Sequence, residues 1–197
     1  MAKLKTAYFC QNCGSQYPQW TGQCKNCLEW NTLVEEIVEK TSSKTPPFSK
    51  AKQNVINIIE VEAVEEPRIK TPSDELNRVL GGGIVLGSVT LIGGEPGIGK
   101  STLLLQLALK MKKKVFYVSG EESASQIKMR ADRLAEIKNP NCFLYTETSL
   151  EKILHEAKKL EPDFVIIDSI QTLQSQLIES SPGTVSQIRE CSNEIIK

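Results

Sequence analysis

The octapeptide Gly94-Glu95-Pro96-Gly97-Ile98-Gly99-Lys100-Ser101 fits the pattern G-x-x-x-x-G-K-[ST], a cradle for nucleotide phosphates. Its glycines let backbone N–H groups turn inward on a β-phosphate, and the N-terminus of a following helix adds positive potential. Lys100 can then reach the β- and γ-phosphates, Ser101 is placed to ligate Mg²⁺, and Thr102 is counted with the nucleotide-binding set. A second element, Phe164-Val165-Ile166-Ile167-Asp168, sets four apolar residues before a carboxylate. Any buried strand can end in Asp, but beside a phosphate loop the pattern delivers Asp168 to hold a Mg²⁺-bound water next to Ser101. Glu121 and Glu122 follow the run ending at Ser119, at the edge of the sheet where ligands of open α/β folds collect. One of them could orient and deprotonate an attacking water; the alternative is that both are acids favoured by a helix N-terminus. Gln171, three residues past Asp168, is a candidate sensor of the γ-phosphate.

A different chemistry is written at the N-terminus, where Cys10-x-x-Cys13 and Cys24-x-x-Cys27 are separated by ten residues. Each C-x-x-C forms a tight knuckle, and two knuckles complete a tetrahedron suited to structural Zn²⁺. Four thiolates leave no open position for catalysis. A module of ~30 residues buries too little surface to fold alone, so the metal supplies its folding free energy. Trp20 and Trp30 flank the second knuckle and are expected to pack over it in preference to stacking on bases. Cys142 and Cys191 read as buried thiols, and His155 has no ligand pair nearby.

The elements that must position these residues follow from periodicity. Ser88–Gly93 is short, β-branched and glycine-bounded, which predicts a strand entering the phosphate loop, and Lys100–Met111 predicts an apolar helix leaving it. Beyond it, strands at Val115–Ser119, Cys142–Tyr145 and Phe164–Asp168 alternate with helices at Ser123–Ile137 and Leu150–Leu160. That alternation marks a mostly parallel α/β sheet. Leu173–Gly183 reads as a polar loop, and Thr184–Lys197 as a helix with Val185, Ile188, Cys191 and Ile195 on one stripe. Upstream, Val55–Val64 alternates like an edge strand, and Thr71–Leu80 is a short helix closed by Gly81-Gly82-Gly83. Lys40–Lys52, rich in Ser, Thr, Pro and Lys, reads as a solvated tether. The expected organisation is a four-cysteine zinc finger over 1–35, a linker over 36–54 and a P-loop core over 55–197.

Bulk properties limit the partners. The 197 residues carry 24 basic and 24 acidic side chains and 40% hydrophobic content, enough for one core and a small appendage. A zero net charge gives no global footprint for nucleic acid or membrane, so any such binding must be local. Without an apolar signal core or a stretch of ~20 apolar residues, the expected location is cytoplasmic, where cysteines favour metal over disulfides.

Taken together, these stretches resemble the RadA (Sms) family of bacterial DNA repair and recombination proteins, RecA-like ATPases with an N-terminal zinc finger. The resemblance is carried by Tyr8–Gly14, Pro18–Thr32, Leu80–Gly87, Gly93–Leu105, Tyr117–Ser123 and Ile167–Thr172. It implies a RecA-like P-loop fold using ATP, Mg²⁺ and Zn²⁺, and an activity that couples ATP hydrolysis to branch migration of recombination intermediates on single-stranded or branched DNA. Partners implied are RecA recombinase, a replicative-type helicase and further copies of the chain in a ring. Lys100, Ser101, Asp168 and Glu121 occupy the family's phosphate, magnesium and strand-end glutamate positions. Leu173–Gly183 corresponds to a DNA-facing loop, yet it contains no Lys or Arg. Family members continue past the helix ending at Lys197, so the core is expected to be incomplete on its C-terminal side. Without the strand that lies between the phosphate-loop strand and the Asp168 strand, a gap of about 9–10 Å would stand where about 4.8 Å closes a ladder. Weak ATP binding and poor hydrolysis are the expected consequence. The alternative, of the binding class, is a non-hydrolysing zinc-ribbon adaptor that responds to nucleotide and docks DNA or a helicase. Clock-type RecA-like ATPases share the paired glutamates, but the cysteine quartet argues against that assignment.

Overall fold

The structure, a computed structural model, describes residues 5–38, 57–62, 67–134 and 139–197. The chain divides into two compact units, Met1–Glu39 with Thr90–Lys197, and Lys40–Val89. In the first unit, the N-terminal ribbon pairs β1 (Lys5–Cys10) antiparallel with β2 (Gln16–Tyr17) and with β3 (Leu33–Val38), in the order β2-β1-β3. Its interior is small, with Ala7, Leu33, Cys10 and Cys24 buried. So little apolar surface cannot hold three strands unaided. Since β3 runs to Val38, the expected linker lies outside the described residues from residue 39 to residue 54.

Within the second unit, β4 (Arg68–Ile69) pairs antiparallel with β5 (Ile84–Val85) around α1 (Asp74–Val79). The Ser73 hydroxyl caps α1 by accepting from the Leu76 amide at 3.2 Å, with Asp74 and Glu75 in the first turn. Gly83, at φ 139°, lies so close to the Ile69 carbonyl that a β-carbon there would overlap it, which explains the end of the triple glycine. The edge strand expected at Val55–Val64 is corrected in its described part. Ile58–Glu60 is a 3₁₀ turn capped by Asn57, and Ile58, Ile59 and Val61 are exposed. Among the described residues no strand pairs with this segment, so its alternation has no sheet on which to act.

The α/β core belongs to the first unit. It comprises α2 (Lys100–Lys110), β6 (Val115–Ser119), α3 (Ala124–Leu134), β7 (Cys142–Thr146), α4 (Leu150–Leu160), β8 (Phe164–Asp168) and α5 (Val185–Ile196). The three strands are parallel in the order β7-β6-β8, with Ser119 opposite both Thr146 and Asp168. All five residues of β6 are buried, as a central parallel strand covered on both faces requires. Alternation divides them: Phe116 and Val118 join Leu150, Ile153, Leu173 and Cys191 in one apolar cluster. Val115 and Tyr117 point to the other face, where α2 and α3 pack and where Leu105, Ala108 and Ile127 are also buried. The α/β class is therefore as expected from the alternation of elements.

The strand expected at Ser88–Gly93 does not form. The run carries no regular structure and is unpaired among the described residues, and Val89 and Leu91 are exposed. Strand structure depends on a ladder, and β8 pairs only with β6, leaving its other edge without a described partner. Val165 on β8 is correspondingly 47% exposed.

Candidate functional site

The phosphate loop is built by backbone geometry. Gly97 and Gly99 have φ of 82° and 104°, and Gly99 is the N-cap of α2 with no side-chain capping bond. A left-handed glycine cap leaves the first amides of α2 without a side-chain acceptor, which is what an anion-binding terminus needs. The Lys100 ammonium donates to the carbonyls of Gly94 at 2.7 Å and Glu95 at 2.8 Å, bringing a positive charge over the loop. Gly94, Glu95, Pro96, Gly97 and Ile98 are exposed, Lys100 and Ser101 half-buried.

The carboxyl edge of the sheet then gathers residues that are distant in sequence. Ser101 Oγ donates to Asp168 Oδ1 at 2.9 Å, which joins the start of α2 to the end of β8. Tyr117 Oη, from β6, donates to Asp168 Oδ2 at 2.8 Å. Glu121 Oε1 accepts from Ser169 Oγ at 2.8 Å, whereas Glu122 is bound to Arg130 of α3 at 2.6 Å. The two glutamates thus differ: one faces the segment after Asp168, the other is neutralised by a guanidinium. Gly120 precedes them because a β-carbon there would overlap the Thr172 hydroxyl. Gln171 is exposed on the 3₁₀ turn Ile170–Thr172. A hydroxyl and a carboxylate in contact beside a glycine-capped helix suit Mg²⁺, a hard cation that takes oxygen ligands and retains water.

Tyr117, Ser169 and Arg130 were not singled out by sequence reasoning. The signal for Tyr117 was available: a phenol inside a fully buried strand requires a partner for its hydroxyl. Burial, followed by the hydrogen bond and charge of Asp168, pushes the Tyr117 pKa up, so this hydroxyl remains a donor.

At the cysteine quartet the four sulfurs lie within 4.8 Å of one another, with Cys10–Cys27 and Cys13–Cys24 both at 3.6 Å. A tetrahedron with Zn–S of about 2.3 Å has edges of about 3.8 Å, so the thiols fit zinc. The two knuckles repeat one hydrogen-bond pattern. Gly14 N donates to Cys10 O and Leu28 N to Cys24 O, while Cys10 N and Cys24 N donate to the carbonyls of Ser15 and Glu29. Both Gly14 and Leu28 are left-handed, with φ of 69° and 62°. The Ser15 hydroxyl, with Asn26, lowers the Cys13 pKa to about 5. Cys24 is lowered by the Cys27 amide and the Tyr17 hydroxyl. At Cys27 the Glu29 amide acts downward, but burial and the neighbouring thiols Cys24 and Cys10 outweigh it and push the pKa up to about 11. Four thiolates this close are compatible only around a cation, and Zn²⁺ supplies that charge.

Contrary to expectation, the tryptophans do not cover the metal knuckle. Trp20 and Trp30 are 55% and 67% exposed and flank Gly22. Leu33, Tyr8 and Tyr17 pack against the buried cysteines in their place. Cys191 is buried as expected, whereas Cys142 is only partly so.

Comparison with known proteins adds a family. Residues 57–188 match the AAA domain, and residues 8–35 match the rubredoxin metal binding domain. Over 204 residues the chain is 48% identical to DNA repair protein RadA of Bacillus subtilis, covering 100% of this chain and 44% of that protein. The protein of the same name from Chlamydia muridarum is 49% identical over 98% of this chain and 43% of its own length. That of Streptococcus pyogenes is 46% identical, with 100% and 44% covered. The chain thus spans less than half the length of the relatives it matches, and the resemblance carried by its motifs is borne out. No helix among the described residues is long and apolar enough to cross a membrane. By the extent of these matches the chain belongs to the AAA domain family, among relatives named DNA repair protein RadA.

Proposed function

We propose that the chain carries the zinc ribbon and the nucleotide-binding part of a DNA-dependent ATPase of recombinational repair. The observation that supports this most strongly is the Ser101–Asp168 contact at 2.9 Å beside the glycine-capped start of α2. In this reading the loop amides of 94–101 and Thr102 hold the phosphates, and Lys100 moves from the loop carbonyls to the phosphate oxygens. Ser101 and Asp168 would hold Mg²⁺, which would supply charge neutralisation to the phosphates. Glu121 accepts the proton of the attacking water, and the Ser169 hydroxyl fixes its carboxylate. Glu122, paired with Arg130, positions α3. Processing or branch migration of recombination intermediates on single-stranded or branched DNA is the coupled activity. RecA recombinase, a replicative-type helicase and further copies of the chain are the proposed protein partners.

A second reading, a non-hydrolysing adaptor, draws support from one observation. Residues 88–93 lead into the phosphate loop and pair with no described strand, so among the described residues no ladder supplies the rigid base that turnover requires. ATP hydrolysis by the 197-residue chain, with and without single-stranded DNA, separates the two. Turnover stimulated by DNA and abolished by Lys100→Ala supports the first reading. Nucleotide binding with no turnover under either condition supports the second.

A further inference from the structure

We propose that Tyr117 is a positioning residue for the magnesium site, holding the Asp168 carboxylate in the orientation that presents Ser101 to the cation; this rests on the assignment of Ser101 and Asp168 to Mg²⁺. The geometry is specific. Asp168 ends β8, whose outer edge pairs with no described strand, so the backbone ladder fixes it from the β6 side alone. On β6 the residue directly opposite Asp168 is Ser119, and Tyr117 stands opposite Ile166. From that diagonal position only a long side chain can reach the carboxylate, and the phenol does so at 2.8 Å. Tyr117 is 1% exposed, so little water competes for this bond.

The two carboxylate oxygens are thereby given separate donors. Oδ2 is held by Tyr117, and Oδ1 receives the Ser101 proton. A serine whose proton is committed to Oδ1 turns its lone pairs away from Asp168, toward the space a cation would occupy. Removing the Tyr117 hydroxyl frees the carboxylate to rotate and leaves the Ser101 bond as its only described side-chain restraint. Because the ring is buried, Tyr117→Phe preserves the packed volume while deleting only the oxygen.

The test is binding of a fluorescent ATP analogue by the whole chain across a Mg²⁺ titration, for wild type, Tyr117→Phe, Asp168→Asn and the double variant. Tyr117→Phe is expected to raise the Mg²⁺ concentration for half-maximal binding by about tenfold, as loss of a charge-assisted hydrogen bond would. Binding without Mg²⁺ should be unchanged, which also shows that the variant is folded. In the Asp168→Asn background, adding Tyr117→Phe should have no further effect. An unchanged Mg²⁺ dependence in Tyr117→Phe, with a raised one in Asp168→Asn, overturns the role of the tyrosine and leaves the metal assignment standing. Equal effects of Tyr117→Phe in both backgrounds also overturn it, since they mark a structural role independent of the carboxylate. No Mg²⁺ effect in any variant removes the metal assignment, and the role of Tyr117 with it.

Discussion

At the residue scale, the zinc ribbon shows how one geometric demand is met twice by different side chains. Gly14 and Leu28 occupy equivalent left-handed positions in the two knuckles, but a β-carbon at Gly14 would overlap Arg189 and Val185 of α5. Leu28 is 66% exposed and contributes little by burial, while a non-glycine residue in this conformation costs about 1 kcal/mol. Leu28→Gly is therefore expected to stabilise the ribbon by up to about 1 kcal/mol, read as tighter zinc retention against a chromophoric chelator. Another local device is Glu147, which accepts from the amides of Thr148 and Ser149 and from Lys152. The Lys152 bond, followed by the two amides, lowers its pKa from 4.5 to about 2. A depressed carboxylate contributes stability that is complete above its unfolded value and is lost as pH falls through its folded value. Hence the difference in urea midpoint between wild type and Glu147→Gln should hold steady above about pH 5 and narrow as the pH approaches about 2. The cysteine quartet was legible in the sequence because both knuckles are local, with ligands three residues apart. The role of Tyr117 was not, because its partner Asp168 lies 51 residues away and only the register of β6 and β8 brings them together.

At the element scale, the segment between Leu173 and Gly183 is held from below. Buried Gln187 on α5 accepts from the Ser175 amide, and its Nε2, with two protons to donate, lies within 3.2 Å of the carbonyls of Ser175, Ile178 and Ser180. Glu151 on α4 accepts from Ser175 Oγ and the Gln176 amide. Gln187→Leu would strand the buried backbone groups of Ser175 and the half-buried carbonyls of Ile178 and Ser180, so it is expected to cost about 3 kcal/mol in urea unfolding and to speed proteolysis of this segment. Strands β6, β7 and β8 were legible because each is a short apolar run bounded by turn residues. Ser88–Gly93 has the same composition, yet composition does not supply a partner, and without a described ladder the run forms no strand. The 3₁₀ turn at Ile58–Glu60 teaches the same point from the other side, since a capping Asn57 outweighed an alternating pattern with no sheet to rest on.

At the scale of the whole molecule, two modules of different character share one compact unit. Arg189 of α5 donates to the Gly14 carbonyl at 3.1 Å, so the first zinc knuckle rests on a helix of the α/β core. The neutral chain offers no global excess of positive charge, which confines any contact with DNA to local surfaces. The proposal that Lys100, Ser101 and Asp168 form one nucleotide-magnesium site is tested most directly by isothermal titration with Mg·ATP. Saturable binding to the wild-type chain is expected, weakened when Mg²⁺ is withheld and lost in Lys100→Ala. Binding that is indifferent to both Mg²⁺ and Lys100→Ala would contradict it.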